Sequence, residues 1–295
     1  MRSTVYDQEQ KTKLNIIRDA KEFAIEHLDL EANENYTKVY NQGSKPVLWI
    51  VTASEPFRLV PYEWNFPIVG KVFYKGYFDH SLAIQEEKRI SAMGFDTDVS
   101  PVSAWSTLGF FNDPVLSGML ARDEGRLAEL IIHEMTHATI YIESDVDFNE
   151  NLATFIGEQG AIRFLKHRFG ETSTEYSTYV DWLSDKKLYG SYMVNASARL
   201  DSLYNSFESD ESIELRSLKK WDLIVDIMRG VNVMNFAKPE RFRFDSRKNS
   251  LPDNTFFISY LKYRKDQDNL QQELIDSHKN DLKSFLESKK AKYAR

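Results

Sequence analysis

The spacing of apolar residues predicts a short mixed region followed by a longer helical region. Between about Asp7 and Leu28, apolar side chains recur every three to four residues, which is the period of an amphipathic helix. A second helix is expected from His80 to Met93, because Gly94 follows it as the usual C-terminal stop. Short apolar runs that contain β-branched residues predict three strands, at 46–51, 68–74 and 98–102.

From about Pro114 onward the pattern is helical almost to the end of the chain. Six helices are expected there, at 122–142, 148–169, 174–207, 210–230, 253–264 and 267–290. No repeat, low-complexity tract or Pro/Gly/Ser-rich linker interrupts the sequence. The chain is therefore expected to form one unit with a predominantly helical α+β fold. In it, a small N-terminal α/β lobe (1–121) and a larger helical lobe (122–295) enclose a cleft.

Composition narrows the class of protein. Hydrophobic residues make up 42% and charged residues 28% of the 295 positions, a balance typical of a globular rather than a disordered chain. The net charge of −7 argues against a nucleic-acid partner, because phosphate binding needs clustered cations. The chain has no cysteine, so disulfides and thiolate metal sites are excluded and any metal must use His, Asp or Glu.

One predicted helix carries a pattern with chemical meaning, the sequence His-Glu-Met-Thr-His at 133–137. Residues four apart lie on one face of a helix, so the imidazoles of His133 and His137 can bind one Zn²⁺ at ~2.0–2.1 Å each. Glu134 projects beside that ion. Its carboxylate can there accept a proton from a water molecule that the metal has made acidic.

A pair of histidines satisfied within the core is the alternative interpretation of this motif. The preceding residues Leu127, Leu130 and Ile131 form an apolar stripe that anchors the helix. The two imidazoles extend that stripe, where a buried pair without a shared metal would need separate hydrogen-bond partners. The stripe therefore favours the metal site.

A catalytic zinc site needs a third protein ligand and an open position for water. Twelve residues separate His137 from Glu150, enough for the first helix to end, turn and reverse. Glu150 then falls in the first turn of the next helix, on a face of small residues that lets two helices approach closely. That face is formed by Ala153, Thr154, Gly157 and Ala161. Glu150 is the expected third ligand, and Thr154, one turn later, is placed to hydrogen-bond a ligand.

Other roles for these carboxylates stay open at this point. Glu150 is also placed as a helix-start carboxylate that only faces the helix dipole. The rival third ligands are Asp145, Asp147 and Glu158.

The two metal elements resemble those of the gluzincins. In that group the Glu of an Asn-Glu-x-x-Ala element, here 149–153, is the third zinc ligand. More closely, the chain is similar to a bacterial family named as putative aminopeptidases. The similar stretches are 67–79, 101–114, 126–134 and 148–160, with a weaker one at 251–257.

The resemblance implies the zinc ligands His133, His137 and Glu150, with Glu134 as general base, on a zincin-like active-site helix between the two lobes. It also implies a bacterial cell-envelope setting, often with an export or lipid-anchor signal. The chain departs from the family there, because it has neither the apolar N-terminal stretch of such a signal nor an anchoring cysteine. No run approaches the ~18–20 apolar residues that a membrane span needs.

Two further groups of residues are candidates for substrate contacts. The aromatic segment 105–111 could be an edge beside the zinc that pairs with an extended peptide, or it could pack in the core. The edge would include Trp105, Ser106, Thr107, Leu108 and Gly109. A zinc peptidase also needs a donor for the developing oxyanion, and Tyr260 and Tyr263 are the preferred candidates.

Together these observations predict a zinc-dependent peptidase with one Zn²⁺ per chain, an aminopeptidase by resemblance, that acts on peptide substrates. One alternative is a zinc endopeptidase or narrow processing protease. An alternative of another class is a non-catalytic, zinc-stabilised binding or scaffold protein. Glu134 argues against the scaffold, because a purely structural zinc site has no need of a base. The sequence does not indicate an oligomeric state.

Overall fold

The structure is a computed structural model that describes residues 6–43, 45–66, 70–102, 113–142, 145–245, 250–263 and 267–293. Its helices are α1 (Gln8–Leu28), α2 (His80–Ser91), α3 (Glu124–Thr139), α4 (Val146–Phe169), α5 (Thr174–Asn205), α6 (Ile213–Val231), α7 (Asn254–Tyr263), α8 (Gln267–Asp276) and α9 (Leu282–Tyr293). Its strands are β1 (Val39–Tyr40), β2 (Leu48–Ser54), β3 (Trp64–Phe66), β4 (Gly70–Val72), β5 (Tyr74–Tyr77), β6 (Asp96–Val102) and β7 (Val115–Leu116). The predicted class, α+β and predominantly helical, is confirmed.

The chain divides into two compact units. The first comprises Met1–Val47, Ser103–Val180 and Lys265–Arg295, and the second comprises Leu48–Val102 and Asp181–Arg264. The arrangement of lobes expected from the sequence, 1–121 and 122–295, stays a prediction. Among the described residues, no helix has the length and apolar character needed to cross a bilayer.

In the first unit, α3 packs against α4 and α1. Each of these helices begins at an aspartate whose carboxylate accepts a backbone N–H of the first turn, a common helix start. The caps are Asp7 for α1, Asp123 for α3 and Asp145 for α4. The apolar faces between the helices are fully buried, as at Ile131 of α3 and Ile156 of α4. The core thereby fixes the two helices that carry the candidate metal ligands.

The second unit contains a three-stranded antiparallel sheet with the order β5-β2-β6. Helix α2 packs against this sheet and buries Ala83 and Ile90. A separate cluster of buried side chains from α5, α6 and α7 includes Leu200, Ile224 and Phe257. The weak family stretch at 251–257 belongs to this unit. Within it, fully buried Asn254 donates its side-chain amide to the carbonyl of Glu55 at 2.8 Å, which is a structural contact.

Two predicted elements differ from those observed. The strand expected at 68–74 is divided into β4 and β5, which pair with different strands; residues 67–69 lie outside the described residues. The single helix expected at 267–290 is wrong, because it is two helices, α8 and α9. Lys279 and Asn280 adopt left-handed backbone conformations (φ 50° and 64°) between them. Asp281 then accepts the N–H of Ser284 at 3.3 Å, so a new helix starts without any Gly or Pro to mark the break.

Candidate functional site

Helix α3 places His133 and His137 on one face, one turn apart. The helix is held by Leu127, Ile131 and Met135, all fully buried on its apolar side. The two imidazole rings lie 4.7 Å apart between centroids and nearly perpendicular, at 84°. Their Nε2 atoms are 3.1 Å apart, so both point to one position.

Glu150, in the first turn of α4, meets both histidines. Its Oε1 lies 3.3 Å from Nε2 of His137 and its Oε2 lies 3.5 Å from Nε2 of His133. The three residues each offer a ligand atom, and these atoms all lie within 4.8 Å of one another. This group could hold a metal ion, and it is the single group of its kind in the described part of the chain.

The close approach of α4 to α3 depends on glycine. A Cβ added to Gly157 would lie 2.9 Å from the backbone oxygen of Glu129 and 3.2 Å from Cβ of His133. Both distances are shorter than packed side chains normally allow. Ala153 and Ala161, on the predicted small-residue face, are fully buried. The small residues therefore let Glu150 reach the histidines across the helix contact.

The turn between the two helices is closed by Asn149, which is 3% exposed. Its side-chain amide donates to the carbonyl of Ile142 at 2.8 Å and accepts the N–H of Ile142 at 2.9 Å. This double hydrogen bond fixes the chain just before Glu150. From the sequence, Asn149 was named only as part of the family element at 149–153. Its position directly before the predicted ligand Glu150 is the feature that could have indicated its structural role.

The rival carboxylates occupy other positions. Asp145 caps α4, where its Oδ1 accepts the N–H of Phe148 at 3.1 Å. Asp147 and Glu158 are not members of the described group that could hold a metal. Thr154 is half-buried one turn after Glu150, and its hydrogen bond to a ligand stays a prediction.

Burial and the two histidines shift the pKa of Glu150 in opposite directions. Burial raises the pKa of Glu150, but hydrogen bonds to His133 and His137 lower it by more, so the net pKa lies below its usual range. The contact with Glu150 also shifts the pKa of His133. Burial lowers the pKa of His133, while Glu150 and then Glu134 raise it to a net value above the usual range. The carboxylate of Glu150 is therefore charged at neutral pH, which is the form that binds a metal.

Two acidic residues of α3 lie close to His133. Glu134 is half-buried, and its negative charge contributes to the raised pKa values of His133 and of the Tyr36 hydroxyl. Glu129 accepts a hydrogen bond from Tyr179 at 3.0 Å, and its negative charge also raises the pKa of His133. Carboxylates near a metal-binding histidine orient its ring. Sequence reasoning missed Tyr36 and Tyr179, because each lies far along the chain from the motif.

The other predicted site residues are the segment 105–109, Tyr260 and Tyr263. Trp105, Ser106, Thr107, Leu108 and Gly109 lie outside the described residues. Tyr260 belongs to the second unit, where its ring packs against Phe256 and Tyr189, at 5.2 and 5.8 Å between centroids. Tyr263 ends α7, and its side chain lies outside the described part. The oxyanion role of these two tyrosines stays a prediction.

A comparison with known protein families identifies one relationship. A family model described as "Putative aminopeptidase" matches residues 1–293. No curated protein and no solved structure matches the chain.

Proposed function

The chain belongs to the putative aminopeptidase family, and we propose that it is a zinc-dependent aminopeptidase that hydrolyses peptide bonds with Glu134 as general base. One observation carries the proposal. The Nε2 atoms of His133 and His137 and the carboxylate of Glu150 converge, with separations of 3.1, 3.3 and 3.5 Å.

These separations fit a zinc ion. Ligand atoms at ~2.0–2.1 Å from a tetrahedral ion lie about 3.3–3.4 Å from one another, close to the three observed distances. Two histidines and one glutamate are a ligand set found in catalytic zinc sites, which keep the fourth position for water or substrate. Nε2 is the ring atom of His137 that lies near both Nε2 of His133 and Oε1 of Glu150.

The residues of the chain have distinct tasks in this reaction. A bound zinc ion supplies Lewis acidity, which polarises a carbonyl group and makes a water molecule acidic. Glu134 accepts the proton from that water as it attacks the peptide carbonyl, and then donates the proton to the leaving amine. Glu150 stays charged and, with His133 and His137, holds the metal.

The substrate class follows from the family. Its description as an aminopeptidase family supports peptides with a free N-terminus as substrates. Hydrolysis of peptides with free and with blocked N-termini distinguishes an aminopeptidase from an endopeptidase.

The test is hydrolysis of a mixed peptide library by the zinc-loaded protein, read by mass spectrometry. Peptides with free and with acetylated N-termini are compared, and Glu134→Gln is the blank. We expect single N-terminal residues to be released from the free peptides only. Internal cuts in both sets would make the protein an endopeptidase. Absence of any cleavage would contradict the proposal and favour a zinc-stabilised binding protein.

A further inference from the structure

A groove of about 450 Å³ lies in the first unit, where the C-terminal parts of α1 and α4 meet the start of α9. The described residues that line it do not include the three candidate metal ligands. Its volume falls within the ~300–1,000 Å³ of typical small-molecule sites. The groove is therefore large enough to hold a ligand of its own.

The base of the groove is apolar. Leu28 and Leu282 are each 2% exposed and Phe23 is 7% exposed, and all three line the groove. Side chains buried to this degree form the bottom of a depression rather than its rim. They offer carbon surface against which the apolar part of a ligand is removed from water.

Two histidines from different helices form one wall of the groove. The ring of His27, on α1, and the ring of His167, on α4, lie 4.8 Å apart between centroids. Both rings also pack against Phe23, at 4.8 and 5.5 Å. Both histidines are exposed, and an imidazole carries at least one N–H donor in either protonation state. The wall thus combines flat ring surface with hydrogen-bond donors.

The charge of the groove is positive, although the whole chain carries a net charge of −7. Its lining includes three cations and one carboxylate among the described residues: Arg163, Lys166, Lys283 and Asp281. Lys166 pairs with Glu171 at 2.5 Å. The carboxylate caps α9, because Oδ1 of Asp281 accepts the N–H of Lys283 at 3.0 Å and that of Ser284 at 3.3 Å. A positive groove of this kind attracts an anionic ligand.

Arg163 supplies a charge that is held in place. Its guanidinium donates to the carbonyl of Asn280 at 2.9 Å and to the carbonyl of Gln159 at 2.9 Å. Burial lowers the pKa of Arg163, but a guanidinium stays protonated at every physiological pH. The groove therefore keeps one fixed positive charge whatever occupies it.

The position of Lys283 is not explained by its own helix. It lies in the first turn of α9, where the positive end of the helix dipole makes a cation unfavourable. Asp29 explains it only in part, because the hydrogen bond and the charge of Lys290, at 2.6 Å, lower the pKa of Asp29 more than the charge of Lys283 does. An anion in the groove would offset the unfavourable charge.

We propose that the groove binds a small organic anion, whose carboxylate or phosphate group contacts Lys283 and His167 while its apolar body packs against Phe23 and Leu28. The fixed charge of Arg163 stabilises the same anion. This site goes beyond the proposed peptidase function and does not depend on it.

The competing explanation is that the basic residues only complement helix dipoles. It accounts for His27, Lys166 and His167, which lie in the last turns of α1 and α4, where cations are favourable. It does not account for Lys283, and it predicts that no ligand binds.

Calorimetric titration of the zinc-loaded protein distinguishes the two explanations. The probes are phenyl phosphate, benzoate, inorganic phosphate and benzyl alcohol. We expect saturable binding of phenyl phosphate or benzoate, and the tighter of the two identifies the anionic group. Inorganic phosphate lacks the apolar body and benzyl alcohol lacks the charge, so each should bind more weakly by about tenfold or more. Equal affinity for either of them, or no binding of both acids, would overturn the proposal.

Backbone amide chemical shifts, measured by NMR, locate the bound probe. We expect the largest changes at 23–28, 163–168 and 280–284, which contain the lining residues. Largest changes in α3 and in the first turn of α4 would place the probe at the candidate metal site and would overturn the proposal.

The double variant His167→Gln/Lys283→Gln is expected to keep the wild-type Tm, because both residues are exposed, and to bind the preferred acid about tenfold more weakly. Lys11→Gln is the matched control, because Lys11 is an exposed lysine of α1 outside the groove, and it should keep wild-type affinity. Wild-type affinity in the double variant would overturn the proposal. None of these measurements uses peptidase activity, so failure of the proposed function would leave their outcome unchanged.

Discussion

Three side chains from two helices make the candidate metal site. The two Nε2 atoms lie 3.1 Å apart, and each lies 3.3 to 3.5 Å from a different oxygen of Glu150, which is compatible with one shared ion. Two of the three lie on one helix face and need only the helix itself. The third, Glu150, depends on how α4 packs against α3.

Glu150→Ala is expected to lower the zinc content of the purified protein sharply, because two histidines alone leave the site one ligand short. Zinc per chain is measured by inductively coupled plasma mass spectrometry. Asp147→Ala, one turn earlier on the same helix, is the control and should retain zinc. Full zinc in Glu150→Ala together with loss in Asp147→Ala would reassign the third ligand.

Glu134→Gln is expected to keep the zinc content and to lower kcat by about 10²–10⁴-fold, because the amide cannot accept a proton. The measurement is hydrolysis of a peptide that the wild-type protein cleaves, with zinc content determined on the same sample. Turnover at the wild-type rate would exclude Glu134 as the general base.

At the scale of elements, the contact between α3 and α4 determines the geometry of the candidate metal site. The prediction from spacing placed helices at 122–142 and 148–169, and the structure has them at Glu124–Thr139 and Val146–Phe169. Periodicity is a local property, so it gives such spans to within a few residues. It did not show the break between α8 and α9, because that break depends on a left-handed turn made by Lys279 and Asn280.

Gly157→Ala tests the helix contact. The added Cβ would meet the backbone of Glu129, which cannot move aside without shifting α3, so we expect weaker zinc binding and a lower Tm. Gly160→Ala is the control, because its Cβ would meet the side chains of Ile132 and Leu28 instead. It should lower Tm with little effect on zinc affinity, which is measured by competition with a chromogenic chelator. Equal zinc affinity in the two variants would contradict this account.

In the second unit, a buried carboxylate links α2 to the strands. A hydrogen bond from Arg89, then one from Trp64 and the charge of Lys75, lower the pKa of Glu86 to about 2 although burial raises it. Because the folded-state pKa lies below the ordinary value of 4.5, the stabilisation is complete above pH 4.5 and is lost as the pH falls towards 2.

Glu86→Gln is therefore expected to lower Tm at pH 7 and to flatten the dependence of Tm on pH between 4.5 and about 2. Tm is followed by circular dichroism across that range. Glu63→Gln is the control, because the ion pair of Glu63 with Lys71, at 3.1 Å, is exposed to solvent. Parallel profiles of Tm against pH for the wild type and Glu86→Gln would show that this carboxylate does not cause the pH dependence of Tm.

At the scale of the whole molecule, metal binding and folding are expected to be linked. The candidate ligands lie on two helices, which the unfolded chain does not hold together, so the ion is expected to bind the folded state more tightly than the unfolded state. A ligand at a hundred times its Kd stabilises the folded state by about 2.7 kcal/mol.

Chelation with EDTA is accordingly expected to lower Tm, and equimolar Zn²⁺ to restore it, as measured by calorimetry. Mg²⁺ at the same concentration is the control and should not restore it, because it prefers oxygen ligands. Hydrogen exchange should change most in α3 and α4 and least in β2, which belongs to the other unit. A Tm insensitive to zinc would contradict the linkage.

The amino-acid sequence by itself determined the helical class, most helix spans and the face that carries His133 and His137. These features depend on residues within a few positions of one another, because helix periodicity and helix caps are local properties of the sequence. It also pointed to Glu150 by its spacing and by family resemblance. The segment 105–109 and the roles of Tyr260 and Tyr263 stay predictions.

Only the tertiary structure decided which distant groups meet. It placed the carboxylate of Glu150 against both imidazoles, and Gly157 against Glu129. It also gave Asn149 its task in the turn before Glu150. Such contacts depend on the packing of whole helices and on the direction of single side chains. Neither is encoded in a local pattern, because the same pattern is compatible with many arrangements of its elements.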